Sequence, residues 1–193
     1  LNRNEKVSTW KRQNNYRKRL TESLSRDLKS DFEKLSQDIG EAVRSVSDPK
    51  FAEFAILKAI DANSPFIKRT LEKHSRYALE DFGEAILSQA KKEFSFDMRE
   101  MKAQSKKFDQ YVTSYVKKRS GESISQIDGT TRKQVLSLVK KYTQLAIADS
   151  ADQHFSFTDY ADELQDEFTE LSRSRANTIA RTETGAATSF GSL

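Results

Sequence analysis

Residues 20–46 read LTESLSRDLKSDFEKLSQDIGEAVRSV. Apolar side chains stand at Leu20, Leu24, Leu28, Phe32, Leu35, Ile39, Val43 and Val46, at steps of 4, 4, 4, 3, 4, 4 and 3. A strand would alternate every second residue, whereas this interval marks one face of an α-helix. The mean step lies slightly above 3.6, which predicts a fairly straight helix and not a left-handed coiled coil. At ~1.5 Å per residue the segment reaches ~40 Å. Gly40 weakens it locally, by ~1 kcal/mol relative to Ala.

Composition carries the same reading outward. Hydrophobic residues make up 36% of the 193 and charged residues 32%, against ~45–50% and ~25% in ordinary globular chains. Helices that each bury a narrow stripe and wet the remaining surface satisfy that balance. The expected fold is all-α, an elongated multi-helix assembly with a long N-terminal helix. Six glycines and two prolines supply little turn chemistry for a many-stranded sheet. The absence of cysteine excludes disulfides, thiolate metal ligands and a cysteine nucleophile. No apolar run approaches the ~20 residues that span a bilayer, and no secretory signal core is visible, so no membrane contact is expected. The sequence opens on Leu1 and closes on Gly191-Ser192-Leu193, and it reads as a portion of something larger.

Punctuation along the chain predicts further, shorter helices. Asp48-Pro49 offers a capping carboxylate and a proline suited to a first helical position, ahead of Phe51, Phe54, Ile56, Leu57 and Ile60. Ser64-Pro65 repeats the device ahead of Phe66, Ile67, Leu71, Ala78, Phe82, Ala85 and Ile86. Residues 94–98 form a break, and a boundary near 104/105 divides an N-terminal helical arm and subdomain, 1–104, from a second unit, 105–193. That unit opens with Phe108, Tyr111, Val112 and Tyr115 and closes its first helix on Lys117-Lys118-Arg119-Ser120-Gly121, with basic residues against the dipole and Gly121 as the left-handed stop. Asp128-Gly129-Thr130-Thr131 is read as the cap of a helix bearing Val135, Leu138, Val139 and Tyr142. A loop near Gln153-His154-Phe155-Ser156 precedes a helix capped by Thr158 or Asp159, with Tyr160, Leu164, Phe168 and Leu171. Ser172 caps a last helix bearing Ala176, Ile179, Ala180 and Ala187.

The net charge of +4 conceals an asymmetry. Arg3, Lys6, Lys11, Arg12, Arg17, Lys18 and Arg19 are opposed only by Glu5, whereas 143–171 holds no Lys or Arg and carries Asp149, Asp152, Asp159, Asp162, Glu163, Asp166, Glu167 and Glu170. Such polarity points to partners of different charge at the two ends. Lys11, Arg12, Arg17, Lys18 and Arg19, with Trp10 and Tyr16 among them, are candidate nucleic-acid contacts, since cations on phosphates release condensed counterions. A solvated helix face accounts for the same residues. Glu167 with Glu170, and Asp162 with Asp166, are carboxylate pairs on one helical face, but no third ligand type joins them, and a wet acidic surface is the simpler account. His74 and His154 belong to no metal motif. No phosphate-cradling glycine loop is present. No catalytic residue, metal or cofactor is expected, and the chain is read as a non-enzyme.

The run Ser174-Arg175-Ala176-Asn177-Thr178-Ile179-Ala180-Arg181-Thr182-Glu183-Thr184 resembles the signature of the phage Mu F-type head-morphogenesis (minor head protein) family, in which an acidic amphipathic helix leads into an RA-x-x-IARTET helix. Tyr115-Val116-Lys117-Lys118-Arg119, then Ile124, Ile127 and Asp128, then Thr130-Thr131-Arg132, are similar to that family's aromatic-led helix, apolar link and TTR helix start. The resemblance covers 108–193. Gly185-Ala186-Ala187 and Ser189 depart from it, and many members continue into a Trp-, Asp- and His-bearing segment. The resemblance implies a virion component inside the capsid, assembled in the host cytoplasm. It would be present in multiple copies at or near the portal vertex, acting in head morphogenesis and in DNA packaging or ejection. Implied partners are the portal protein and capsid or scaffold protein, to which the basic arm adds double-stranded DNA. The alternative is a delivery domain carrying a C-terminal toxin or enzyme, or a portal-fused nucleic-acid-binding module.

The motif residues are Asp128, Thr130, Thr131, Arg132, Arg175, Ile179, Arg181, Thr182, Glu183 and Thr184. Arg181 and Glu183 lie two apart on a helix and do not pair with each other. The expectation is an inter-helical lock: Glu183 on Arg132 or on free N–H groups near Thr130, and Arg181 on Asp128 or nearby carbonyls.

Overall fold

The computed structural model describes the backbone of residues 3–46, 49–93, 98–149 and 160–190, and side chains over 11–46, 51–81, 107–146 and 160–189. The described residues are all-helical, in four elements: α1 Arg3–Arg44, α2 Pro49–Glu93, α3 Met98–Asp149 and α4 Ala161–Phe190. Pro49 is the first helical residue of α2, as the sequence predicts. Asp48, the 94–97 segment, the 153–156 loop and the Thr158 or Asp159 cap lie outside the described residues, as do the side chains of Trp10, Phe82, Ala85, Ile86 and His154.

Four expected helix ends are instead helix interiors. α2 runs through Ser64-Pro65, α3 through Gly121 and through Asp128–Thr131, and α4 through Ser172. Gly121 is not a left-handed stop, because no described glycine has a positive φ. The buried stripes explain the continuity. On α2, Ala52, Ile56, Ile60, Asn63, Ile67, Leu71, His74 and Ala78 keep helical phase across the proline. Pro65 and Asp61, whose carbonyl loses its i+4 donor to the proline, are both exposed, so water can satisfy that carbonyl.

On α3 the stripe is Val112, Val116, Ser120, Ser123, Ile127, Thr131, Val135, Leu138, Tyr142 and Ala146. On α4 it is Ala161, Leu164, Phe168, Ser172, Ala176, Ala180, Glu183 and Ala187. Both are unbroken at steps of three and four, but small hydroxyls and one carboxylate replace apolar side chains at several positions. Ser120 donates to the Val116 carbonyl at 2.7 Å and Thr131 to the Ile127 carbonyl at 2.7 Å, so these hydroxyls satisfy themselves on their own helix.

Packing divides the chain into two compact units, and each draws a segment from all four helices. Unit 1 comprises Leu1–Arg26, Arg69–Gly121 and Asn177–Leu193; unit 2 comprises Asp27–Lys68 and Glu122–Ala176. This division differs from the expected 1–104 and 105–193 halves, since each unit combines residues from both sides of that boundary. Unit 2 holds the bulkier core, with Phe32, Phe168, Leu28, Leu35, Ile39, Ile56, Ile60, Ile67 and Leu164 essentially inaccessible. Among the described residues, unit 1 buries Leu24, Leu71 and Leu79 fully, and it holds a cluster of Ala78, Leu79, Val112, Val116 and Ala187 with Leu20, Phe108 and Tyr115 along its edge. Among the described residues, no helix is long and apolar enough to cross a membrane.

Candidate functional site

The motif residues fall into two polar locks, one in each unit. In unit 2, Arg175 leaves α4 beside buried Ala176 and reaches the α3 backbone. Its Nη2 donates to the Ile127 carbonyl at 2.7 Å, and its Nη1 donates to Thr131 Oγ1 at 2.8 Å and to Gln134 Oε1 at 3.3 Å. The guanidinium also stands 6.0 Å from the Phe32 ring centroid, within reach of the ring's negative face. Burial makes this arginine easier to deprotonate than usual, and the Asp128 carboxylate opposes that.

Asp128 lies in the same neighbourhood. It accepts a 2.5 Å hydrogen bond from the Ser64 hydroxyl of α2. Burial pushes its carboxyl above the ordinary value and Asp61 adds to that, whereas the Ser64 bond, Arg132 and Arg175 favour ionisation. Arg132 pairs with Asp61 of α2. Thr130, read from sequence as a cap, is exposed and its hydroxyl donates to the Gln126 carbonyl at 2.9 Å.

In unit 1, Glu183 is buried and meets Arg119 of α3. Arg119 Nε donates to Oε2 at 3.1 Å and Nη2 to Oε1 at 3.0 Å, a two-pronged ion pair. Around it, Arg17 Nε donates to Thr188 Oγ1 at 2.9 Å, Ser25 to Asn177 Oδ1 at 2.6 Å, and Ser120 to Glu72 at 3.1 Å. Thr184 is buried, Ile179 half-buried, and Arg181 and Thr182 exposed. Thr182 donates to the Thr178 carbonyl at 3.1 Å.

These contacts correct the expected lock. Glu183 takes Arg119, not Arg132 or the N–H groups near Thr130. Those N–H groups lie inside α3, where the helix itself uses them. The arginines near Asp128 are Arg132 and Arg175, while Arg181 is exposed. Sequence reasoning placed Arg119 in a terminal turn and so missed it as a partner. The usable signal was its phase, since Val112, Val116, Arg119 and Ser123 follow one another at steps of four, three and four.

A third polar group joins α3 to α4 in unit 2. Lys141 Nζ and the Tyr142 hydroxyl both donate to Glu167 Oε2, at 2.6 and 3.0 Å. The Lys141 bond holds the Glu167 carboxyl below its ordinary range, and burial raises the Tyr142 phenol. Glu167 is therefore engaged apart from Glu170, and Asp162 pairs with Arg44, so neither carboxylate pair of the sequence converges on a shared site. Among the described residues, no group of three or more His, Asp or Glu side chains could hold a metal ion.

The candidate nucleic-acid residues Lys11, Arg12, Arg17, Lys18 and Arg19 are all exposed on α1, in unit 1. Arg17 is engaged by Thr188, and Lys18 stands 4.0 Å from Glu22. Tyr16 is half-buried and donates to Asp81 of α2, so its ring belongs to the packing. No protein-family model matches the chain, and no curated protein or solved structure matches it.

Proposed function

We propose that this chain is a minor head protein of a tailed bacteriophage, a helical component of the capsid interior that acts in head morphogenesis at or near the portal vertex. The reading rests on the likeness of Ser174–Thr184 and Tyr115–Arg132 to the Mu F-type signature. The supporting observation is how those residues are used. Arg175, Glu183, Thr131 and Arg119 engage one another's helices and build packing between α3 and α4. These side chains hold α3 and α4 together. The partners under this reading are the portal protein and capsid or scaffold protein, with several copies in each particle.

The test is a particle experiment. Phage particles and portal-containing procapsid intermediates are purified, and the chain is quantified against the portal protein by mass spectrometry. Presence in both at a fixed ratio, and retention after the tail is removed, is the expected result. Absence from heads, or recovery only with tails or free in the lysate, overturns the proposal.

A further inference from the structure

The two compact units carry opposite charge. Unit 1 contains 21 Lys and Arg against 11 Asp and Glu, net +10; unit 2 contains 12 against 18, net −6. The excess is displayed on particular helix faces. In unit 1, Arg12, Arg19 and Arg26 follow at intervals of seven on α1, all exposed. Two turns apart, at ~10.5 Å per step, they form one row that drifts only ~20° per interval. None of the three has a hydrogen bond or ion pair among the described residues.

In unit 2, Glu163, Asp166 and Glu170 of α4 lie at steps of three and four, so they also share a face and are exposed. They too have no hydrogen bond or ion pair among the described residues. Several other charges of unit 2 are paired locally: Arg44 on Asp162, Arg132 on Asp61, Lys141 on Glu167 and Arg173 on Glu33. Among the acidic side chains of α4, Asp162, Glu167 and Glu183 are paired, which leaves Glu163, Asp166 and Glu170 open on one face.

We infer that the Arg12–Arg19–Arg26 face of one molecule docks on the Glu163–Asp166–Glu170 face of a second copy. Charge complementarity names the occupant, because a second copy presents an exposed anionic helix face to the exposed cationic row, the anionic face spanning ~10.5 Å of the row's ~21 Å. A net-negative unit opposes a phosphate backbone but favours a copy that presents a net-positive unit. Double-stranded DNA, expected from sequence for this basic stretch, is the competing occupant. Complementary exposed charges contribute orientation and encounter rate more than raw affinity, so the contact is weak and salt-labile. The inference stands apart from the head-protein reading, because it concerns the purified chain alone.

Sedimentation velocity of the full chain tests it. Raising salt from about 0.1 M to about 1 M shortens the screening length from ~10 Å to ~3 Å. The expected result is a concentration-dependent species heavier than monomer at low salt, with association weakened at least about tenfold at high salt. The triple variants Arg12→Glu/Arg19→Glu/Arg26→Glu and Glu163→Lys/Asp166→Lys/Glu170→Lys should each be monomeric, with unchanged helical circular dichroism. Mixed together they should associate, since every cationic row again meets an anionic one. A wild-type chain that stays monomeric at low salt overturns the inference, as does a mixture that stays monomeric. Undiminished self-association of the arginine variant, coupled with loss of salt-dependent retention on a DNA duplex, overturns it in favour of nucleic acid.

Discussion

Removing Arg119 should destabilise unit 1 more than removing Glu183, although both substitutions break the same ion pair. The Glu183 side chain is 8% exposed and that of Arg119 is 30% exposed. Arg119→Ala strands a carboxylate that water can scarcely reach, and losing one partner of a buried pair costs about 3–5 kcal/mol. Glu183→Ala strands a guanidinium on a long, flexible stem that can swing into water. Its cost is the loss of the charged hydrogen bonds less that recovered hydration, about 1–2 kcal/mol. Replacing both by apolar residues, Arg119→Met with Glu183→Leu, removes the attraction together with both desolvation penalties and leaves stability within about 1 kcal/mol of wild type.

Urea unfolding with a slope of about 2 kcal/mol/M converts a loss of about 4 kcal/mol into a midpoint shift of about 2 M for Arg119→Ala. The shift for Glu183→Ala is then less than half as large. Hydrogen exchange localises the effect: protection should fall in 112–121 and 177–188, while 131–142, which belongs to unit 2, serves as the internal control. Equal midpoints for the two single variants, or strictly additive losses in the double variant, would refute the reasoning, since both outcomes mean that Glu183 is not held by Arg119.

Gly121→Ala and Gly129→Ala should each stabilise the chain by ~1 kcal/mol, because both glycines are helical and a Cβ at either meets nothing within 4 Å. Gly40→Ala should show no such gain in a thermal melt, because its Cβ would collide with the Gln165 amide that accepts from Arg44 at 3.1 Å. Arg175→Lys should cost about 1–2 kcal/mol in urea unfolding, since one ammonium cannot reproduce the fork that meets Ile127, Thr131 and Gln134. Asp128 ionises less readily in the fold than in the unfolded chain, chiefly through burial. Its contribution to stability is therefore complete below the ordinary carboxyl value of 3.8 and is lost as pH rises through the folded value. Stability measured as a function of pH should accordingly show wild type losing ground to Asp128→Asn as pH rises; a gap that is constant across the acid range excludes this account.

The apolar stripe of 20–46 was sufficient to read α1 and the helical class, because Leu24, Leu28, Phe32, Leu35, Ile39 and Val43 are all buried as their spacing requires. The same method divided α2, α3 and α4 too finely. It treated Ser64-Pro65, Gly121, Asp128–Thr131 and Ser172 as ends by their local preferences, yet each lies within a helix whose buried stripe keeps its phase across that point. Local capping propensity is worth about 1 kcal/mol, and the packing of a continuous helix outweighs it. The hydroxyls were misread for a related reason. Ser120 and Thr131 look polar in a sequence, but they are small and sit in a core because their own helix supplies an acceptor. The motif string named Arg175 and Glu183, and both side chains reach α3. It could not give their partners, because whether two helices meet depends on three-dimensional register, which spacing within one helix does not contain.

That register problem accounts for why the locks are polar. In unit 1, the facing stripes of α3 and α4 present Val112, Val116 and Ser120 to a helix lined by Ala180, Thr184, Ala187 and Thr188. Small, similar side chains tolerate sliding, since one alanine packs in a groove much as the next does, and a shift by one turn changes little buried area. A buried carboxylate has no such tolerance. Displacing α4 by one turn, ~5.4 Å, would remove Glu183 from the two hydrogen bonds of Arg119. The pair thus adds little to the depth of the folded state and much to the separation from its slipped alternatives. Unit 2 meets the same need differently. Its core is bulky, with Phe32, Phe168 and Leu164 already fixing the packing, and there the arginine seeks a backbone carbonyl at Ile127 in place of a buried countercharge.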